Sequence, residues 1–262
     1  MLYPYIKMEK QNNKLDIRGL PDKAASVIQK FAQDLILRLQ DNIDAIAITG
    51  SVLTKDFVDG LSDINSVLVL KEMKIPVLDS LASMGSRYGK KGVRAPLIMT
   101  GDYIARSLDV FPIEFLDIKL LHKTIYGRDV FSDIAIEKPM LRLQCESALK
   151  AKLIHLRQGF IVASGKKNAL SQLLFDAYPG FFPLFRAILY LMQGVEGPPI
   201  LKAEVLKGME KTFPIPMDCL KEIQGLKTKK RPSVPIEQAH RLFDEVYKIT
   251  HELSSKVDEI DI

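Results

Sequence analysis

Cysteine is nearly absent. Cys145 and Cys219 are the only two, far apart and without a CxxC pair. They build no disulfide framework and no cysteine zinc site, and they fit a reduced, cytoplasmic setting. Long apolar runs are missing as well. The most apolar window, Phe181 to Met192, is interrupted by Pro183 and Arg186, and nothing reaches the roughly 20 residues of a membrane-spanning helix. The opening MLYPYIKMEK lacks the apolar centre of a signal peptide. Charge of one sign is not in excess. Residues 1–135 hold 18 basic against 17 acidic side chains, and residues 136–262 hold 19 against 15. Neither half is the strongly basic footprint of a nucleic-acid binder, which disfavours a polymerase or terminal transferase. There is no GxSxG, HExxH or Walker-type phosphate loop. His155, His240 and His251 have no ligand-spaced partner.

What is present is enough for a sizeable core: 262 residues, 47% hydrophobic and 26% charged, room for one large domain or two ordinary ones. The stretch that organises the rest is Ala45 to Leu70, AIAITGSVLTKDFVDGLSDINSVLVL. It reads as a buried strand, a small-residue turn at Gly50-Ser51, a loop, and a second apolar strand entered through Asp63-Ile64-Asn65. Gly50 permits a tight turn and the close approach of a bulky anion. Ser51 adds a hydroxyl and an N–H suited to phosphate. Asp63 and Asn65, two apart on a strand, point the same way. Two oxygen-bearing side chains beside a phosphate cradle suit a hard cation such as Mg²⁺. The same residues are also ordinary turn formers, since Gly-Ser after a strand and Asp before one are common.

This pattern resembles the nucleotidyltransferase superfamily of DNA polymerase beta and the aminoglycoside nucleotidyltransferases. The family signature is an apolar residue, Gly, Gly or Ser, a gap, then Asp, an apolar residue and Asp or Glu. Gly50, Ser51 and Asp63 match in type and spacing, whereas Asn65 stands where a second carboxylate belongs. The resemblance covers the first half of the chain. It implies an α/β (α+β) fold with a small mixed sheet, a third acid on a neighbouring strand, and a nucleoside triphosphate lying over Gly50-Ser51.

Before the motif, Ile28, Phe31, Leu35 and Leu39 predict an amphipathic helix over 22–40. After it, 76–88 is weakly helical, and 93–100 is a strand that Pro96 marks as an edge. Residues 111–119 are expected to be another strand of the same sheet, carrying the third acid. Glu114 is the choice, with Asp117 the alternative, because residues three apart on a strand face opposite sides. HKTIYGRDVF (122–131) suggests a turn at Gly127-Arg128. From about Glu137 the apolar spacing turns helical through 149–160, 170–177, 182–192, 201–211 and 235–257, which predicts a bundle. The expected division is a nucleotidyltransferase-like domain over 1–135 and a helical domain over 136–262. Lys227–Arg231 reads as a solvated loop.

By resemblance the protein moves a nucleoside monophosphate from a nucleoside triphosphate to a hydroxyl of an unidentified acceptor, whose pocket the helical half supplies. Asp63 and Glu114 are then catalytic, Asp63, Asn65 and Glu114 hold Mg²⁺, and Gly50, Ser51 and Lys55 bind the nucleotide. Asn65 brings no charge. The alternative is therefore a catalytically degenerate nucleotide-sensing or protein-binding module of the same fold. The sequence leaves a homo-oligomer open.

Overall fold

Pro21 and Asp22 start the first helix, α1 (Asp22–Leu39), with an acid in the first turn and Arg38 in the last, the arrangement its dipole favours. Its stripe of Ala24, Ile28, Phe31, Leu35 and Leu39 is buried. The computed structural model describes residues 14–163, 166–193, 197–227 and 234–261. The readings placed on 228–231 lie outside the described residues. The chain divides into two compact units, one reaching Leu108 and resuming over Asp117–Ala135, the other taking Asp109–Leu116 and the chain from Ile136.

The first unit is built on a four-stranded sheet of order β3-β2-β1-β4. Strand β1 (Ile43–Thr49) lies antiparallel to β2 (Asn65–Leu70) and to β4 (His122–Gly127), and β2 lies parallel to β3 (Leu97–Thr100). Ile46, Ile48, Leu68, Leu70 and Ile125 form one core with the α1 stripe and with Leu81, Met84 and Tyr88 of α2 (Ile75–Gly89). Each such side chain contributes about 1.5–3 kcal/mol by leaving water. The Tyr88 hydroxyl donates to Asp34 at 2.6 Å, which ties α2 to α1. Strand β3 is an edge strand, and Pro96 just ahead of it removes a donor where none is needed. A short helix α3 (Gly101–Ser107) follows, capped by the Thr100 hydroxyl accepting from the Tyr103 N–H.

The expected strand over 111–119 is not there. Residues Pro112–Leu120 are helix α4. The run is apolar on nearly every side, and such a run does not distinguish a buried strand from a buried helix. Local chemistry decides it. Pro112 stands at the first helical position, where its fixed φ suits the helix and its missing N–H costs nothing. The free Ile113 N–H donates to Gln144 Oε1 at 2.6 Å, so a side chain distant in sequence caps the helix. The third neighbour strand is β4, over the segment read from sequence as leading into a turn. Gly127 does end it, at φ +81°.

In the second unit, α5 (Lys138–Ala163) buries Leu141, Cys145, Leu149, Leu153 and Leu156 at helical spacing. It packs against α6 (Lys167–Ala177), α7 (Phe181–Gln193) and α10 (Ile236–Asp258). Helix α8 (Lys202–Thr212) lies on α7, and α9 (Asp218–Lys227) lies on α10 and α6. Burial pushes the thiols of Cys145 and Cys219 up to about 12, so neither is poised as a nucleophile.

Candidate functional site

Strand β1 ends at Thr49, and Gly50 turns the chain with φ +80°, a left-handed conformation that favours glycine. The Gly50 N–H donates to Leu121 O at 3.0 Å, which fixes the turn to the residue preceding β4. A 3₁₀ turn over Gly50–Leu53 follows. It is closed by the Thr54 hydroxyl donating to Ser51 O at 3.0 Å. Gly50 and Ser51 are half-buried, and Lys55, farther along the loop, is exposed.

Asn65 faces this turn. It lies directly across the ladder from Thr49. A Cβ added to Gly50 would stand 3.6 Å from its Nδ2. Asp63 sits two residues earlier, just ahead of the strand. Ile64 between them is buried while Asp63 and Asn65 are exposed, so the period of two keeps both polar side chains on one side. The structure thus brings Gly50, Ser51, Asp63 and Asn65 to one end of the sheet.

A residue not anticipated from the sequence stands there too. Ile64 bridges to Val93, and the Arg94 N–H donates to Ile64 O at 3.0 Å. From that anchored position the Arg94 guanidinium reaches Asp63, with Nε 2.8 Å and Nη2 2.7 Å from the same oxygen, Oδ2. Arg94 is an isolated charge in VRAPLIMT, and its partner lies 31 residues away. The only sequence signal was a basic residue at the mouth of an otherwise apolar strand.

His122 was also missed. It faces Thr49 from β4, so Asn65, Thr49 and His122 form one row across the sheet. Its side chain is 7% exposed. Nδ1 lies 2.9 Å from Ile118 O, and Nε2 lies 3.0 Å from Asp129 Oδ1. Burial alone would raise the Asp129 pKa, but the Ser132 hydroxyl, the Phe131 N–H and His122 outweigh it and hold the carboxyl below its ordinary value.

Glu114 is not on a strand. It is an exposed residue of α4, in the part belonging to the second unit, and its Oε2 accepts from Gln144 Nε2 at 2.7 Å. Asp117 lies on the same helix in the first unit. Strand β3, parallel neighbour of β2, holds Leu97, Ile98, Met99 and Thr100 and no acid. A divalent cation of the kind the resemblance implies asks for several anionic oxygens. This donor set does not fit it. Of the two oxygen-bearing side chains that flank Ile64, Asp63 is already paired with a guanidinium and Asn65 is neutral. Among the described residues no three His, Cys, Asp or Glu side chains form a group able to hold a metal.

No family model matches the sequence, and no curated protein does. Solved structures do match. One is spectinomycin adenyltransferase AAD(9) from Enterococcus faecialis, in a crystal structure with ATP and spectinomycin. It aligns with a TM-score of 0.51 over 89% of this chain and 99% of its own, at 14% identity. The chain has the nucleotidyltransferase fold. At that identity the likeness is one of fold. Within the fold, no helix of the described residues is long and apolar enough to cross a membrane.

Proposed function

We propose that this chain is a nucleotide-binding module of the nucleotidyltransferase fold whose transfer chemistry has been lost. The observation that carries the reading is the state of Asp63. A left-handed glycine turn, the Ser51 hydroxyl and the Asn65 amide offer a phosphate cradle. The carboxylate beside it is engaged by Arg94, and the next strand brings no second acid. Gly50 and Ser51 would take the phosphates, with Lys55 from the exposed loop adding charge. Gly50 gives the phosphates room to approach the backbone, and Asn65 donates or accepts without adding repulsion.

The test is to give the purified protein ATP with Mg²⁺, measure binding by calorimetry, and follow pyrophosphate by a coupled assay. Binding without pyrophosphate release is expected. Asn65→Asp restores one charge and is expected to stay silent in the same assay, because Asp63 remains paired and β3 still lacks an acid.

Nucleotidyl transfer to an acceptor hydroxyl is the second reading. The likeness to an adenyltransferase along 99% of that chain favours it. Pyrophosphate release by the wild-type protein, alone or with added spectinomycin, would put it in place of the first.

A further inference from the structure

We propose that the site takes its nucleoside triphosphate as the free anion, without a divalent cation, and that Arg94 supplies the positive charge. The inference rests on the nucleotide reading above and says which form of the ligand the site accepts.

Three observations carry it. The first is the pairing itself. Both N–H groups that Arg94 directs at Asp63 fall on Oδ2, at 2.8 and 2.7 Å. A cation bound at Asp63 would have to sit against this guanidinium or displace it, and like charges at that range repel. The second is exposure. The side chains of Arg94 and Asp63 are 67% and 46% exposed. Such a pair gains little from its own attraction, so the guanidinium is free to exchange one anionic oxygen for another. The third is position. The Arg94 backbone is hydrogen-bonded to Ile64, the residue between Asp63 and Asn65, and Asn65 adjoins Gly50. The root of the side chain is thus fixed one strand away from the turn.

Phosphate is the better partner for a guanidinium. It offers several oxygens to the planar fork where Asp63 now gives one. A triphosphate without a cation carries its full negative charge, and a site with one free acid would repel it. Here Arg94 turns that acid into half of a neutral pair. As phosphate arrives, the guanidinium bridges Asp63 and a phosphate oxygen or swings wholly to the phosphate. Asp63 then acts as a holder for Arg94 in the empty site.

The experiment is calorimetric titration of ATP into the full chain in two buffers, one with EDTA and one with excess Mg²⁺. It is run for wild type, Arg94→Ala and Asp63→Asn, with a thermal melt of each to show that it is folded. Wild type is expected to bind ATP in EDTA at least as tightly as in Mg²⁺. Arg94→Ala should lose about tenfold or more in EDTA, the scale of one charge-assisted contact. Asp63→Asn should bind a few-fold tighter, because the competing carboxylate is gone. Binding that requires Mg²⁺ and disappears in Asp63→Asn would place a cation on Asp63; it would overturn this inference and leave the nucleotide reading standing. Binding in neither buffer would remove that reading, and this inference with it.

Discussion

Arg128 reaches both oxygens of Asp44, with Nε 2.9 Å from each and Nη2 2.7 Å from Oδ2. Arg94, at the other end of the same sheet, puts two N–H groups on a single oxygen of Asp63. The first pair is sheltered, its side chains 31% and 15% exposed, and the second is not. The hydrogen bonds from Arg128 to Asp44 raise the arginine's pKa against the opposing effect of burial. The residue types are identical, and bond count and burial separate them. The sheltered pair locks the start of β1 to the end of β4, whereas the exposed pair holds a cation at the surface that a ligand can take over.

The largest expected effect lies at the sheltered end. Gly127 precedes Arg128 with φ +81°, and a Cβ there would stand 2.0 Å from the Asp44 carbonyl oxygen. No rotamer relieves a clash between backbone atoms. Gly127→Ala is expected to cost at least about 3 kcal/mol, since it forces both strain and separation of β1 from β4. Urea unfolding followed by circular dichroism measures it. A loss under about 1 kcal/mol would mean that this end of the sheet yields easily and is no lock. Next in size is Arg128→Ala, which strands Asp44 with its oxygens largely out of water. A cost of about 2 kcal/mol is expected.

A third effect tests whether the acids of this region are structural. Asp129 follows Arg128 and is held below its ordinary pKa despite burial. A carboxyl whose folded pKa is depressed stabilises the fold above its unfolded value, about 3.9. That contribution is lost as pH falls from there through the lower folded value. Asp129→Asn is expected to cost about 1–2 kcal/mol at pH 7 through weakened bonds to Ser132, Phe131 and His122. Its stability should also fall less steeply than that of wild type below about pH 4. Melts across an acid series decide it. An unchanged acid slope in the variant would show that Asp129 does not carry this dependence.

The legible parts of this chain are those whose signals are local. Helix α1 was legible because Ile28, Phe31, Leu35 and Leu39, all buried, repeat at helical spacing, and β1 and β2 because β-branched runs are bounded by turn residues. The Gly50-Ser51 turn and Asp63-Ile64-Asn65 are contiguous motifs, so four residues at one end of the sheet could be named from sequence. Glu114 could not be placed, since the cap that makes its segment a helix comes from Gln144, 31 residues from the Ile113 N–H it accepts from. Strand β4 was hidden because HKTIYG is half polar, and the partner that accommodates its His122, Asp129, is supplied only by folding. Helix α3 is seven residues long, and its cap from Thr100, not periodicity, defines it. Arg94 was missed for the same reason as Glu114. Its meaning lies in a partner brought close by folding.

The smallest expected effect is the one that sharpens the comparison most. Removing Arg94 should hardly touch stability, because Asp63 is 46% exposed and water takes over its solvation at once. Arg94→Ala is expected to cost about 0.5 kcal/mol or less, and a double-mutant cycle with Asp63→Ala should return a coupling of about 0.2–1 kcal/mol. Salt should separate the two pairs further. At about 1 M ionic strength the screening length falls to about 3 Å, so the Arg94–Asp63 coupling should fade, while the Arg128–Asp44 coupling, shielded by protein, should persist. A coupling at Arg94–Asp63 as large and as salt-resistant as that at Arg128–Asp44 would make both pairs fixtures of the sheet. Arg94 would then be committed to Asp63 and no longer free to meet a phosphate. A weak, salt-sensitive coupling, together with a large loss of ATP affinity in the same Arg94→Ala protein, would show that the residue is retained for its ligand and contributes almost nothing to the fold.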